Sequence, residues 1–182
     1  MYFGEVTDPN IRHIFRDAGD FIVRPLKCGK FTLYAYAIDG LTSGADTSEY
    51  VIKPIADNLR GDTIQALYTS ALRGNVYNSV ADPCRDLDTV ALKLVNGFCV
   101  ILFPEAGAIA FEVKTGEKRG ISAPEVENTV KGAKDAFVET VRTNTSLLRR
   151  HLRSPELRLY ETRVGRRSLT NVTVCYVEGI TN

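Results

Sequence analysis

Residues 31–42 read FTLYAYAIDGLT, and residues 170–181 read TNVTVCYVEGIT. Each stretch is a mostly apolar run of eight residues, followed by an acidic residue, a glycine, an aliphatic residue and a threonine. Apolar runs of this length are typical of β-strands that are covered on both faces. Each stretch also follows a shorter strand-like segment carrying an arginine, Arg24 or Arg163, and then a basic turn. The sequence therefore predicts two copies of one strand–turn–strand unit.

Helical patterns separate the two copies. Asp46 and Glu49 have the spacing of a capping box, and Pro54 is expected to break or restart the helix that follows. Asp62 or Thr63 can cap the next helix. Two apolar stripes at helical spacing predict helices that end at glycines: Ile64, Leu67, Tyr68, Ala71 and Leu72 before Gly74, and Leu87, Val90, Ala91, Leu94 and Val95 before Gly97.

The second half of the chain is predicted to alternate strands with helices. Ser122 and Glu125 form another capping box, with Pro124 in the first turn, and this short helix ends at Gly132. A long helix is predicted from Lys134 to Leu152, with one apolar face made by Phe137, Val141, Leu148 and Leu152. Strands are expected at Phe98–Phe103, Ala108–Val113, Leu157–Val164 and Asn171–Val177, the last of them deeply buried.

These elements predict an α/β protein made of two small mixed α/β subdomains, with short sheets flanked by helices. Residues 1–80 would form the first subdomain and residues 86–182 the second. A linker is expected at about 75–85, because the Asp82-Pro83 break separates two complete apolar stripes. A helix follows the first copy of the repeat, whereas the second copy reaches the last residue without one. We therefore expect the second subdomain to be incomplete at its C-terminal end.

Composition, apolar run lengths and cysteine spacing argue against several classes of protein. The 182 residues are 44% hydrophobic and 25% charged, which is ordinary for a globular domain and argues against disorder or coiled coil. The apolar run Phe98–Phe103 is six residues long, against the about 20 that a membrane-spanning helix needs. We expect no secretory signal at the N-terminus. Neither a metal site nor a disulfide is expected, because no two of the four cysteines form a CxxC pair: Cys28, Cys84, Cys99 and Cys175.

Positive charge is concentrated between Arg142 and Arg167. Eight arginines oppose two glutamates there, which gives the segment a net charge of +6; the whole chain carries +1, so the remainder carries −5. Arginine suits planar, bidentate recognition of carboxylates and phosphates. A solvated helix face with internal ion pairs and a subunit, lipid or anion surface explain the pattern equally well, with nucleic acid ranked third. The candidate subunit or anion contacts are Arg142, Asn144, Arg149, Arg150, Arg153, Arg166 and Arg167.

No catalytic motif stands out, and the sequence is not expected to encode an enzyme. Walker loops, dinucleotide-binding glycines, nucleophile elbows and HExxH are all absent from the sequence. The pairs Asp39-Gly40 and Glu178-Gly179 are interpreted as turns after strands. Of the acids near the second capping box, Glu125 fits the cap, whereas Glu127 is free to meet an arginine. Glu139 is predicted to pair with Arg142 at i, i+3 on the long helix.

Ordered motifs in the second half carry a family resemblance. They include Arg119, Pro124–Glu127, Gly132, Phe137–Glu139, Arg142–Asn144, Leu147–Leu152, Val164–Thr170 and Tyr176–Ile180. This series resembles the N-terminal part of the A subunits of spore germinant receptors, the GerA family, and is densest over residues 119–182. Looser matches lie at Phe21–Arg24, Ile38–Leu41 and Ile52–Ile55. The chain departs from the family pattern at Ala133, Ala136 and His151, where the family has Pro, Gly and Arg.

The resemblance implies a multi-pass protein of the spore inner membrane that works with B and C subunits in an oligomeric, nutrient-opened ion channel. It places this region on the cytosolic, spore-core face, as two small α/β subdomains. Membrane contact would come through segments absent from this chain, and the full-length protein is expected to form homo-oligomers. Stage V sporulation AF subunits share the motifs. No cofactor and no nucleic acid are expected as partners, although a soluble anion- or nucleic-acid-binding module using the 142–167 arginines is the alternative.

Overall fold

The computed structural model describes residues 1–76, 80–115 and 136–181. The predicted capping box at Ser122 therefore lies outside the described residues, together with Pro124, Glu125, Glu127 and Gly132. The fold is mixed α/β with two antiparallel sheets. In the three described ranges, no helix has the length and apolar character needed to cross a membrane.

A five-stranded antiparallel sheet forms the centre, in the order β1-β2-β4-β5-β3. Two of its three inner strands, β2 and β4, are rich in aliphatic and aromatic residues, and every residue of β4 is buried. The strands are β1 (Phe21–Cys28), β2 (Phe31–Ile38), β3 (Ala81–Cys84), β4 (Phe98–Phe103) and β5 (Gly107–Glu112). A second sheet pairs β6 (Leu157–Val164) with β7 (Thr170–Val177).

Helices cover both faces of the central sheet, which explains why β2 and β4 are apolar on both sides. The helices are α1 (Asp8–Ile14), α2 (Gly44–Thr47), α3 (Lys53–Asn58), α4 (Ile64–Ser70), α5 (Leu87–Val95) and α6 (Val141–His151). On one face, α1 and α5 bury residues such as Ile11 and Leu94 against Tyr36. On the other face, α3 and α4 bury Ile55 and Leu67. All five apolar residues predicted for the α5 stripe are buried.

The cap predicted for the helix after the first repeat was wrong, whereas the restart expected at Pro54 is observed. Ser43, not Asp46, caps α2, and its hydroxyl accepts a hydrogen bond from the Asp46 N–H at 3.3 Å. A π-helical turn at Ser48–Ile52 leads directly into α3, which has Pro54 in its first turn. Proline is tolerated in the first turn of a helix, because a backbone N–H at that position has no partner within the helix.

The long helix begins later and buries a different face than predicted. Residues 136–140 are not helical, so α6 starts at Val141 and Glu139 lies outside it. Phe137 is 64% exposed and Leu152 is 41% exposed. The buried residues of α6 are instead Thr145, Ser146, Leu147 and Arg149. The sequence pattern favoured burial of the aliphatic face of α6. The observed buried face instead contains Arg149, which forms an ion pair with the distant carboxylate of Asp20.

The sheets do not divide at the predicted linker. β3 lies within residues 75–85 and pairs with β5, and β2 pairs with β4 from beyond that segment. The central sheet therefore crosses the predicted boundary. Asp82 and Pro83 lie in its edge strand β3, where the backbone N–H that proline lacks is not needed for pairing. That the chain divides at 75–85 into units that fold separately stays a prediction for limited proteolysis.

Candidate functional site: arginines around the second hairpin

Arg149 is a buried structural residue and not the surface contact that its position in the cluster predicted. Its side chain is 0% exposed and that of Asp20 is 5% exposed. The Arg149 Nε and Nη2 atoms donate to the two carboxylate oxygens of Asp20 at 2.7 and 2.8 Å. Nη1 donates to the Ser154 carbonyl at 3.0 Å. This bidentate pair joins α6 to the residue that precedes β1, so it fixes which face of α6 points inward.

A second buried arginine, Arg158, was not among the predicted site residues. Its Nε donates to Glu178 at 2.8 Å, its Nη2 also contacts Glu178, and its Nη1 donates to the Ile14 carbonyl at 2.9 Å. Arg16 pairs with the same carboxylate. Hairpin register could have revealed this contact, because Arg158 lies opposite Tyr176, two residues before Glu178, on the same face of the hairpin.

Hydrogen bonding to Arg158, followed by the nearby charges of Arg158 and Arg16, lowers the pKa of Glu178. A lowered carboxyl pKa stabilises the fold at pH values above the unfolded pKa. That contribution is lost as the pH falls through the folded pKa. Glu178 therefore acts in the structure as the acceptor of two arginines at the end of β7, together with the turn at Gly179, whose φ is +81°.

The Asp39-Gly40 turn packs directly against α6. Gly40 has φ +79°, and a Cβ added there would lie 2.6 Å from the Ser146 Cβ. Arg142 pairs with the Asp39 carboxylate across this contact, in place of the predicted pair with Glu139. Asp39 and Gly40 thus lie in a turn after β2, and the Asp39 carboxylate also binds an exposed arginine.

Asn144 is used within the chain. Its amide Nδ2 donates to the Val138 carbonyl at 2.7 Å, and its Oδ1 accepts from the Val138 N–H at 2.8 Å. These two bonds hold the segment before α6 against the helix. The predicted interface role for Asn144 stays a prediction, and its side chain already has a local structural one.

The remaining predicted arginines lie at the surface in two places. Arg150 and Arg153, at the end of α6, line a cavity beside Thr115 and Asn96. Arg166 and Arg167 are exposed in the turn that joins β6 to β7. The arginines of the segment with a net charge of +6 therefore occupy different environments. Arg149 and Arg158 are buried in ion pairs, Arg150 and Arg153 line a cavity, and Arg166 and Arg167 are exposed at the tip of the hairpin.

The described residues contain no cluster of three or more His, Cys, Asp or Glu side chains that could hold a metal ion. Three of the four cysteines are buried, and only Cys175 is exposed. Burial raises the pKa of Cys99 to about 12 and that of Cys84 to about 11. Such thiols are protonated at neutral pH, and they pack as small apolar groups.

These features define a mixed α/β domain in which buried arginines join a two-stranded sheet to a five-stranded one and other arginines remain at the surface. The family model described as Bacillus/Clostridium GerA spore germination protein matches residues 9–182. The chain therefore belongs to the GerA family of spore germination proteins.

Curated relatives carry germination and sporulation names. The chain is 30% identical over 162 residues to stage V sporulation protein AF of Bacillus subtilis (strain 168), covering 88% of this chain and 33% of that protein. It is 26% identical over 174 residues to spore germination protein GerLA of Bacillus cereus, covering 94% and 35%. The chain thus spans about a third of the length of these relatives.

A solved structure has the same fold. The crystal structure of the N-terminal domain of the A subunit of the Bacillus megaterium spore germinant receptor GerK3 aligns with a TM-score of 0.68 and 18% sequence identity. The alignment covers 94% of this chain and 63% of that chain. The mixed α/β fold predicted from the sequence is confirmed by this similarity.

Proposed function

We propose that this chain is a cytosolic N-terminal region of a germinant receptor A subunit, and that it contributes to nutrient-triggered germination by subunit assembly or signal transmission. The observation that carries the proposal is the family match over residues 9–182. The solved domain of similar fold, named as part of an A subunit, supports the same assignment. The proposed partners are the B- and C-type subunits and other copies of the A subunit in an oligomeric channel, on the spore-core face of the inner membrane. The proposed role is non-enzymatic.

The contact surface is proposed to be the outer face and tip of the β6–β7 hairpin. Tyr160 is 56% exposed, Val164 is 55% exposed and Val174 is 51% exposed. The register places Tyr160 directly opposite Val174, so these apolar side chains share one face. Exposed apolar side chains grouped in this way, next to basic residues, are typical of surfaces that bind other proteins. Arg166 and Arg167 supply the positive charge at the tip.

Charge reversal at the hairpin tip tests the proposal. The double substitution Arg166→Glu and Arg167→Glu, placed in the gene that encodes this chain, is expected to reduce receptor abundance in inner-membrane fractions and to slow nutrient-triggered germination. The matched control is Arg24→Glu with Lys30→Glu, which makes the same change in charge on the first hairpin. Both control residues are exposed.

The two double variants should keep the thermal midpoint of the isolated chain, since all four residues are exposed. Equal germination for both variants, or an equal defect in both, would contradict the assignment of the second hairpin as the contact surface.

A further inference from the structure

A basic cavity lies where the C-terminal ends of α5 and α6 meet the Asp39–Thr42 turn. It has a volume of about 220 Å³, room for several water molecules at about 30 Å³ each. Leu41, Val95 and Gly97 contribute apolar or backbone surface to it. The polar lining is Asn96, Lys114, Thr115, Arg150 and Arg153.

The lining groups are held in place by the backbone. The Thr115 N–H donates to the Leu41 carbonyl at 3.0 Å, and the Thr115 hydroxyl reaches the same oxygen at 3.2 Å. Gly97 has φ +81°, and a Cβ there would lie 2.8 Å from the Leu41 oxygen, so close packing demands glycine. The buried Arg149 fixes the rotation of α6 and thereby the direction of its neighbours. The Thr115 and Gly97 parts of the cavity wall are thus fixed by backbone contacts.

The two arginines have neutral partners. The Arg150 Nη2 donates to the Thr115 hydroxyl at 3.2 Å, and the Arg153 Nη1 donates to the Asn96 Oδ1 at 3.2 Å. The Arg153 Nε donates to the Arg150 carbonyl at 3.3 Å. Among the described residues, neither guanidinium forms an ion pair. Each has five N–H donors, so both have donors left for a further acceptor.

The charge balance at the cavity favours an anion. Lys114 is paired with Glu112 at 2.8 Å, so its charge is largely compensated. The C-terminal ends of α5 and α6 contribute roughly half a negative charge each. Counted over the described residues, the two guanidinium groups exceed that sum by about one positive charge. A planar fork of N–H donors is suited to the oxygens of phosphate or carboxylate groups.

We propose that this cavity binds one phosphate group through Arg150 and Arg153, with the Thr115 hydroxyl and the Asn96 amide beside it. The group comes either from a free phosphate compound or from an anionic lipid headgroup. This site is separate from the hairpin tip of the proposed assembly surface, so the two proposals can fail independently.

The first experiment is titration of the 182-residue chain with inorganic phosphate by isothermal calorimetry, at constant ionic strength maintained with chloride. We expect saturable binding of one phosphate per chain. Charge-assisted hydrogen bonds contribute about tenfold or more each to affinity, so Arg150→Gln with Arg153→Gln should weaken binding by at least about tenfold. The control is Arg163→Gln, an exposed arginine outside the cavity lining.

The second experiment separates the two sources of phosphate. Co-sedimentation with vesicles of phosphatidylcholine alone is compared with vesicles that also contain phosphatidylglycerol. Binding to the anionic vesicles that is lost in the double variant and kept in Arg163→Gln identifies a lipid headgroup as the ligand. Saturable phosphate binding without vesicle binding identifies a free compound.

Absence of both interactions, or equal loss in the double variant and the control, would overturn the proposal. Circular dichroism and thermal midpoints verify that the variants fold.

Discussion

The two β-hairpins of this chain have the same local structure and different surroundings. Each pairs two eight-residue strands in full register. After the first, the Leu41 and Thr42 N–H groups both donate to the Ile38 carbonyl at 3.2 Å. After the second, the equivalent groups of Ile180 and Thr181 donate to Val177 at 3.3 and 3.2 Å. The repeat predicted from the two matching sequences is therefore a repeat of hairpin and turn geometry.

Burial separates the two hairpins. Leu33 and Ala35 of β2 are 0% and 5% exposed, because they belong to the core cluster that includes residues of α3 and α4. Their equivalents in the repeat, Val172 and Val174 of β7, are 37% and 51% exposed. The prediction that β7 is deeply buried was wrong for this reason. Strand pattern alone thus predicts a hairpin, whereas the neighbours that pack on it determine whether its apolar faces are buried.

Breaking the ion pair that joins the first hairpin to α6 should have the largest effect. Asp20→Ala is expected to lower the free energy of unfolding by about 3–5 kcal/mol, because the Arg149 charge would remain buried without a partner. Urea denaturation measures the loss. The control, Asp39→Ala, removes the partner of the exposed Arg142 and should cost no more than about 1 kcal/mol. Equal losses for the two variants would contradict the assigned roles.

Truncating equivalent strand residues tests the difference in burial directly. Leu33→Ala in the covered hairpin is expected to cost about 2–5 kcal/mol. Val172→Ala in the second hairpin should cost less than about 1 kcal/mol, because its side chain is already partly in water. Chemical denaturation of both variants gives the comparison. A large loss for Val172→Ala would show that this face is covered in solution.

The two turn glycines provide a finer comparison. Gly40→Ala and Gly179→Ala both place an L-residue at φ near +80°, which costs about 1–2 kcal/mol. At Gly40 the new methyl group also meets Ser146, adding about 1–3 kcal/mol of overpacking, whereas nothing lies within 4 Å at Gly179. Thermal unfolding should therefore rank Gly40→Ala as the less stable variant. The reverse order would contradict the packing of α6 on the first turn.

Thiol labelling should show the smallest effect, a difference in rate without a change in stability. Cys28 of the first hairpin is buried, with its Sγ 3.7 Å from the Ile55 carbonyl, whereas Cys175 of the second is exposed. Burial raises the pKa of both thiols, so labelling of Cys175 should accelerate as the pH rises above neutral. Mass spectrometry of the native chain should find Cys175 modified first. Simultaneous labelling of Cys28 would show that the first hairpin opens readily.

Local sequence patterns determined the strands, the α5 stripe and the turns. Alternation, glycine positions and apolar spacing act over a few residues, so β2, β4 and β6 have the predicted bounds, and all five α5 stripe residues are buried. The motifs shared with the GerA family are equally a property of the sequence. The sequence also predicted Arg150 and Arg153 as candidate contacts, since their charge and their place near the end of a helix are visible without a structure, and that role stays a prediction.

Only the tertiary structure decided which strands share a sheet, which face of α6 is buried and which arginines remain available. Arg149 and Arg150 are adjacent and chemically identical. Arg149 is buried because it pairs with Asp20, which lies 129 residues earlier in the chain. Arg158 is buried for the same kind of reason, through Glu178 and the Ile14 carbonyl. A charged side chain is buried only where the fold places a partner beside it, and the local sequence does not specify which distant residue that partner is.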